Sequence, residues 1–148
     1  MKKLTMMCGL PRSGKSTWVE ENKLDGEVIL SADKLRYLVY NQRFWTGGEP
    51  LMWAVHGIIL KMLLEQGVDI IVDETNVTKA IRGKIIKLAK EYDYEVTGIE
   101  FNTPKEICKE RAIKTGQEDL LDVIDRLAEI YENISLDEDF DYIDSYGI

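Results

Sequence analysis

The sequence contains few of the residues that mark several protein classes. Its two cysteines, Cys8 and Cys108, lie 100 residues apart in a chain of 148. This spacing excludes a disulfide scaffold and a paired Cys/His metal site, and it fits a reducing cytoplasm. There are only three prolines and 45% of the residues are hydrophobic, which excludes a disordered or collagen-like chain. We therefore expect a folded protein located in the cytoplasm.

Long hydrophobic runs are also missing. The most apolar stretch, 51–64, contains His56 and Lys61 and is shorter than the roughly 18 residues that a membrane span needs. An N-terminal apolar run is broken at Pro11, before it reaches the length of a signal peptide. The length of the chain predicts a single domain over 1–148 with no membrane contact.

The net charge of −8 is unevenly distributed. Residues 117–148 carry eleven acidic side chains and one arginine, whereas residues 1–116 carry a net charge of +2. No segment is basic enough to grip a long nucleic acid duplex without regard to sequence, so a nucleic acid partner would bind through a short or single-stranded end.

Apolar runs of strand length alternate with segments of helical periodicity, and this alternation is typical of a parallel sheet flanked by helices. The predicted strands are 4–8, 27–30, 68–72, 95–101 and 139–143, and the predicted helices cover 15–21, 31–39, 53–66, 78–91, 104–111 and 120–130. The polar stretch 114–119 joins two of these helices and is the expected mobile segment.

The loop after the first predicted strand carries the most specific motif. Residues 9–16, GLPRSGKS, match the P-loop pattern G-x-x-x-x-G-K-[ST] between a strand and a helix. In such a loop backbone N–H groups surround the phosphates, Lys15 contacts the β- and γ-oxygens and Ser16 binds Mg²⁺. The predicted nucleotide-binding residues are Gly9, Leu10, Pro11, Arg12, Ser13, Gly14, Lys15, Ser16 and Thr17.

A carboxylate follows the third predicted strand. Asp73 comes directly after 68–72, at the position of a Walker B acid beside the metal. The alternative is an Asx turn into Thr75 and Asn76. Together with the P-loop, the position favours Ser16 and Asp73 as the two Mg²⁺ ligands.

Asp33 and Arg36 lie three residues apart and share one face of the second predicted helix. A carboxylate there can accept a hydroxyl proton while the arginine holds an anionic group of the acceptor. By spacing alone, the pair is better explained as a first-turn carboxylate stabilised by the helix dipole and by Arg36.

Four segments together resemble the kinase domain of phage and bacterial polynucleotide 5′-kinases. They are GLPRSGKSTW at 9–18, SADKLR at 31–36, VDETN at 72–76 and CKER at 108–111. The resemblance implies a P-loop kinase fold, with Asp33 as general base on a 5′-hydroxyl and Arg36 on the acceptor phosphate.

The same resemblance implies a small helical lid over 111–120. That family has two lid arginines one helical turn apart, and Arg111 resembles the first. Position 115 is threonine, and Lys114 is the nearest replacement, although lysine cannot form a bidentate fork.

Trp45, Trp53 and His56 form a possible stacking wall for a base. Helical spacing predicts that Trp53 belongs to the helix core and that His56 is either packed or at the solvent edge. Trp45 is the better ligand contact because it lies in a loop.

The sequence predicts a kinase that uses ATP and Mg²⁺, with Lys15, Asp33, Arg36 and Arg111 as catalytic residues. Its partner would be a nucleic acid 5′ end or a small-molecule alcohol. The alternatives are a kinase of nucleosides, sugars or antibiotics, and a nucleotide-binding regulatory module without transfer activity.

Overall fold

A computed structural model describes residues 2–147, which fold around five parallel strands in the order β2-β3-β1-β4-β5. The elements are β1 Lys3–Gly9, α1 Lys15–Asn22, β2 Val28–Leu30, α2 Ala32–Tyr40, α3 Glu49–Gln66, β3 Ile70–Val72, α4 Lys79–Glu91, β4 Glu95–Phe101, α5 Lys105–Lys114, α6 Leu121–Ile130 and β5 Tyr142–Tyr146. Short 3₁₀ turns cover Thr46–Gly48, Glu118–Leu120 and Leu136–Glu138.

Local sequence signals fix the ends of several helices. The Ser31 hydroxyl accepts a hydrogen bond from the backbone N–H of Lys34 at the start of α2. Helix α3 ends at Gly67, whose φ of 76° lies in the left-handed region that glycine adopts without a Cβ clash. These caps orient the helices that carry the candidate acceptor side of the site.

Alternating residues of each central strand face opposite layers of the core. Leu4, Met6 and Cys8 of β1 pack towards α2, α3 and α4, whereas Met7 packs with Val19 of α1 on the other face. A third cluster joins the P-loop to helices α5 and α6, and its buried residues are Leu10, Cys108, Ala112 and Ile124.

The predicted parallel α/β architecture is confirmed, with shifted boundaries. The last strand covers Tyr142–Tyr146 instead of 139–143, because Phe140 turns into the core and its ring lies against Gly98. Asp141 is bonded twice to Val96: its backbone N–H donates to the Val96 carbonyl oxygen and its carboxylate accepts from the Val96 N–H, each at 2.8 Å. None of the helices in the described range is long and apolar enough to cross a membrane.

Candidate active site

The P-loop lies between β1 and α1 because two glycines permit its path. A Cβ at Gly9 would approach the Ser13 hydroxyl to 2.8 Å and the carbonyl oxygen of Phe101 to 3.0 Å. Gly14 has a φ of 109°, which favours glycine at the start of α1. The loop therefore wraps tightly around the end of Lys15, as a phosphate-binding loop requires.

Lys15 is buried inside this loop. Its Nζ donates to the carbonyl oxygens of Gly9 at 2.9 Å and Leu10 at 2.6 Å. Burial lowers the pKa of Lys15 to about 8, against the opposing negative charges of Asp73 and Asp33. The lysine thus has neutral hydrogen-bond partners here, and an anionic phosphate would favour its charged form.

Ser16 and Asp73 meet at the carboxyl end of the sheet. The Ser16 hydroxyl donates to Oδ2 of Asp73 at 3.0 Å. Burial raises the pKa of the Asp73 carboxyl, while the Ser16 hydrogen bond and the Lys15 charge act in the opposite direction. A hydroxyl and a carboxylate are hard oxygen ligands of the kind Mg²⁺ prefers, so the two residues fit the metal role expected from the sequence.

Glu74, the residue after Asp73, was missed by the sequence analysis. Its carboxylate is buried and hydrogen-bonded to Nε2 of His56 on α3. The expected packing of His56 is confirmed, since this side chain is buried. The acidic doublet at 73–74 was the available signal, but nothing in the sequence connects it with position 56.

Asp33 and Arg36 lie on α2 as their spacing predicts, with Nη1 of Arg36 2.8 Å from Oδ1 of Asp33. The Asp33 side chain is 85% exposed, so its second oxygen is accessible to an acceptor. Arg36 also binds the carboxylate of Glu49 through Nε at 3.1 Å and Nη2 at 2.9 Å. Two carboxylates thus share one guanidinium.

Glu49 is a further acceptor-side residue that the sequence did not single out, because it stands in a segment read as a loop. It is the first residue of α3 and also accepts a hydrogen bond from the Tyr40 hydroxyl at 2.6 Å. Burial acts against its charge, but the bonds from Arg36 and Tyr40 hold the pKa of Glu49 below its ordinary value.

Aromatic rings surround this ion pair. The guanidinium carbon of Arg36 lies 5.9 Å from the ring centre of Phe44 and 5.8 Å from that of Trp53. The prediction that Trp53 belongs to the helix core is wrong, since 45% of it is exposed. The buried face of α3 consists of Met52, His56, Leu60 and Leu64. Trp53 falls beside that face.

Helix α5 brings Arg111 to the P-loop, where its Nη1 donates to the carbonyl oxygen of Arg12 at 3.1 Å. The Thr115 hydroxyl donates to the carbonyl oxygen of Arg111 at 2.9 Å and so caps the end of α5. Beyond this helix, Asp119 forms an ion pair with Arg43 in the segment between α2 and α3. Segment 111–120 therefore contacts both the P-loop and the segment between α2 and α3.

Solved structures share this fold at low sequence identity. The APS kinase CysC of Mycobacterium tuberculosis, solved with AMPPNP and APS, is 19% identical with a TM-score of 0.62, covering 97% of this chain and 88% of its own. A chain of the Pnkp1/Rnl/Hen1 RNA repair complex is also 19% identical with a TM-score of 0.66, covering 88% of this chain and 46% of its own.

Sequence comparison adds a curated relative, the L-seryl-tRNA(Sec) kinase of Methanococcus maripaludis, which is 28% identical over 138 residues. The match covers 87% of this chain and 52% of the relative, so the chain spans about half the length of that protein. A family model described as an AAA domain (AAA_33) matches residues 4–128. The chain, with its P-loop kinase fold, therefore belongs to this AAA domain family.

Proposed function

We propose that the protein transfers the γ-phosphoryl group of ATP to a hydroxyl group, and that the acceptor is the 5′-hydroxyl end of DNA or RNA. The donor half of this proposal is supported by the P-loop, the buried Lys15 and the contact between Ser16 and Asp73. The curated relative and the neighbour CysC are themselves named as kinases.

In this mechanism Asp33 accepts the proton of the acceptor hydroxyl as its oxygen bonds to the γ-phosphorus. The bond between that phosphorus and the β,γ-bridging oxygen breaks, and ADP leaves with the bond's electrons. Lys15 and Arg111 stabilise the negative charge on the phosphoryl oxygens. Ser16 and Asp73 would hold Mg²⁺, which neutralises charge on the β- and γ-phosphates when bound.

The single observation that carries the choice of acceptor is the exposed aromatic surface beside Asp33. Phe44, Trp45 and Trp53 are each about half exposed, although large aromatic rings are normally buried. Phe44 and Trp53 both lie within 6 Å of the guanidinium that binds Asp33. A nucleoside with its 5′-hydroxyl at Asp33 can stack its base on such rings.

A small-molecule acceptor is the second candidate, and one observation favours it. Arg36 is already engaged by Asp33 and Glu49, so it has less capacity to hold the phosphate of an acceptor nucleotide. A neutral sugar or another uncharged alcohol would not need that arginine.

The experiment is a transfer assay with γ-labelled ATP and Mg²⁺, comparing 5′-hydroxyl oligonucleotides with a panel of sugars, nucleosides and antibiotics. We expect label on the oligonucleotide ends, and none on the same oligonucleotides carrying a 5′-phosphate. Lys15→Ala should abolish transfer and most of the thermal stabilisation by ATP. The matched control Lys61→Ala, on the exposed face of α3, should do neither.

The aromatic surface is tested in the same assay. Because stacking contributes about 1–3 kcal/mol per base, Phe44→Ala should raise the KM for the oligonucleotide about tenfold and leave the KM for ATP unchanged. Leu38→Ala, which removes another exposed apolar side chain, on α2, is the control. Strong activity on a sugar or antibiotic with none on oligonucleotide ends would assign the protein to small-molecule kinases.

A further inference from the structure

Arg12 occupies an unusual place in the P-loop. Its φ is 66°, in the left-handed region where a side chain other than glycine is uncommon. Its carbonyl oxygen accepts the hydrogen bond from Arg111, so the backbone of Arg12 is joined to the lid helix. Such a backbone conformation costs free energy and is found mainly at functional sites.

The side chain of Arg12 is also incompletely bonded. Its Nε is shielded from solvent and has no hydrogen-bond partner among residues 2–147. A buried donor without an acceptor costs free energy. An anionic ligand that supplied the acceptor would remove this cost.

Three of the six arginines of the sequence, Arg36, Arg43 and Arg82, each form an ion pair with a carboxylate. Within the described range, Arg12, Arg111 and Arg126 do not lie within ion-pair distance of one, and of these three Arg126 lies on α6, outside the P-loop. Two guanidinium groups at the P-loop thus have no protein charge to neutralise them.

Both charges act on the same region of the molecule. Burial raises the pKa of the Cys108 thiol on α5, and the charges of Lys15, Arg111 and Arg12 act in the opposite direction. Lys15 and Arg111 also contact the loop directly, through hydrogen bonds to the carbonyl oxygens of Gly9, Leu10 and Arg12. Thr115, by contrast, uses its hydroxyl to cap α5 and adds no charge.

We infer that the side chain of Arg12 binds the β- and γ-phosphates of the donor nucleotide together with Arg111, so that the P-loop itself supplies a second guanidinium. This inference rests on the proposed function, in which a nucleoside triphosphate occupies the P-loop. It assigns to the Arg12 side chain a role beyond the backbone contacts of the loop.

The test measures the Kd of ATP with Mg²⁺ by calorimetry on the full chain, without an acceptor. Arg12→Gly and Arg12→Asn both suit a left-handed position and remove the charge. Each should weaken ATP binding about tenfold, the size expected for one charge-assisted contact. Arg12→Lys should recover part of the loss because it restores the charge without the planar fork.

Two controls separate charge from loop conformation. Asp93→Gly replaces another left-handed residue, with a φ of 62°, in the turn before β4 at the opposite end of the sheet. It should leave the Kd of ATP unchanged. AMP, which lacks the β- and γ-phosphates, should bind wild type and the Arg12 variants equally.

The outcomes distinguish the inference from the proposed function. If Arg12→Gly and Arg12→Asn bind ATP as wild type does, or if AMP loses affinity as much as ATP does, the inference is wrong and the proposed kinase activity stands. If wild type binds ATP and the variants lose it, the inference holds even where no oligonucleotide accepts phosphate.

Discussion

The proposed donor and acceptor halves of the site differ in how many carboxylates pair with their cations. On the donor side, Lys15 donates to backbone carbonyls, and within residues 2–147 neither Arg12 nor Arg111 pairs with a carboxylate. On the acceptor side, one guanidinium, that of Arg36, is shared by two carboxylates. The donor half therefore retains positive charge, whereas in the acceptor half the positive charge of Arg36 is already more than compensated by Asp33 and Glu49.

This difference suggests how each half selects its ligand. Uncompensated cations in a partly buried loop favour a polyanion such as a triphosphate. A surface with exposed rings, whose arginine is already paired with carboxylates, favours contacts that depend on shape and stacking. We therefore expect mutations of charge to affect the donor half through binding and the acceptor half through chemistry.

The largest effect should follow from removing charge on the donor side. Arg111→Ala should lower the kcat of transfer by about 10³-fold, because the loss of an arginine from a phosphoryl-transfer site falls in this range. Steady-state kinetics with saturating acceptor measure it. The control is Arg126→Ala on α6, another arginine with no carboxylate at ion-pair distance in the described range. A decrease of less than tenfold would exclude a direct role for Arg111.

Removing the proposed general base should give the second largest decrease in the rate of transfer. Asp33→Asn keeps the shape of the side chain but removes the proton acceptor, so transfer should fall by about 10²-fold. ATP binding, measured by thermal shift, should stay at the wild-type level because Asp33 acts on the acceptor in the proposed mechanism. Unchanged turnover would mean that Asp33 only stabilises the start of α2 and pairs with Arg36.

The pH dependence of ATP binding isolates Lys15. Burial places the pKa of this lysine at about 8 in the free protein, below its ordinary 10.5, and bound phosphates favour the charged form. Affinity for ATP should therefore fall up to about tenfold per pH unit as pH rises above 8. Calorimetry in two buffers of different ionisation enthalpy should detect proton uptake on binding.

The low pKa of Lys15 should also make the stability of the fold depend on pH, which tests that pKa without a ligand. The unfolded chain holds more protons on Lys15 than the nucleotide-free fold does, so the free energy of unfolding should rise with pH between about 8 and 10.5. Chemical denaturation of wild type and Lys15→Met across this pH range measures the contribution of Lys15 to the free energy of unfolding. An ATP affinity independent of pH up to 9.5 would contradict the low pKa.

Removing one carboxylate partner of Arg36 should leave its guanidinium able to bind an anion, as the cations of the donor half are expected to do. Glu49→Gln removes one of the two carboxylates that bind this arginine. The variant should favour a nucleoside 3′-phosphate over the plain nucleoside several-fold more than wild type does, since Arg36 becomes available to the phosphate. Arg36→Ala should abolish that preference. An identical preference in Glu49→Gln and wild type would show that Glu49 does not limit Arg36.

The smallest change is expected from adding charge to the lid. Thr115→Arg introduces a planar fork next to the end of α5, and we expect transfer to rise by a few-fold or the KM for ATP to fall. Part of the gain should be offset because the Thr115 cap on α5 is lost. Thr115→Ala measures that cost alone. If Lys114→Ala abolishes activity while Thr115→Arg has no effect, Lys114 already fills the second lid position.

The fold and the donor site were predictable because their signals are local. The P-loop is contiguous over 9–16, and each central strand is an apolar run followed by a turn or a helix cap. Asp73 could be placed because it follows such a strand directly. The end of β5 was misplaced because Phe140 is held by a distant contact with Gly98, which periodicity cannot reveal.

The acceptor side was less predictable because its contacts are distant in sequence. Glu49 reaches Arg36 across 13 residues, and His56 reaches Glu74 across 18. Trp53 was misassigned because helical spacing identifies the apolar side of α3 only to within about one residue. In that helix the buried Met52 is followed directly by Trp53, which is 45% exposed.

The ion pair between Arg43 and Asp119 links the two sides of the proposed site. It ties the segment that carries Phe44 and Trp45 to the 3₁₀ turn of the lid. Both side chains are substantially exposed, and a pair of this kind contributes about 0–1 kcal/mol. Such a pair is weak enough to break whenever ligands enter or leave the proposed site. The order in which ADP and the phosphorylated product depart should consequently change with ionic strength.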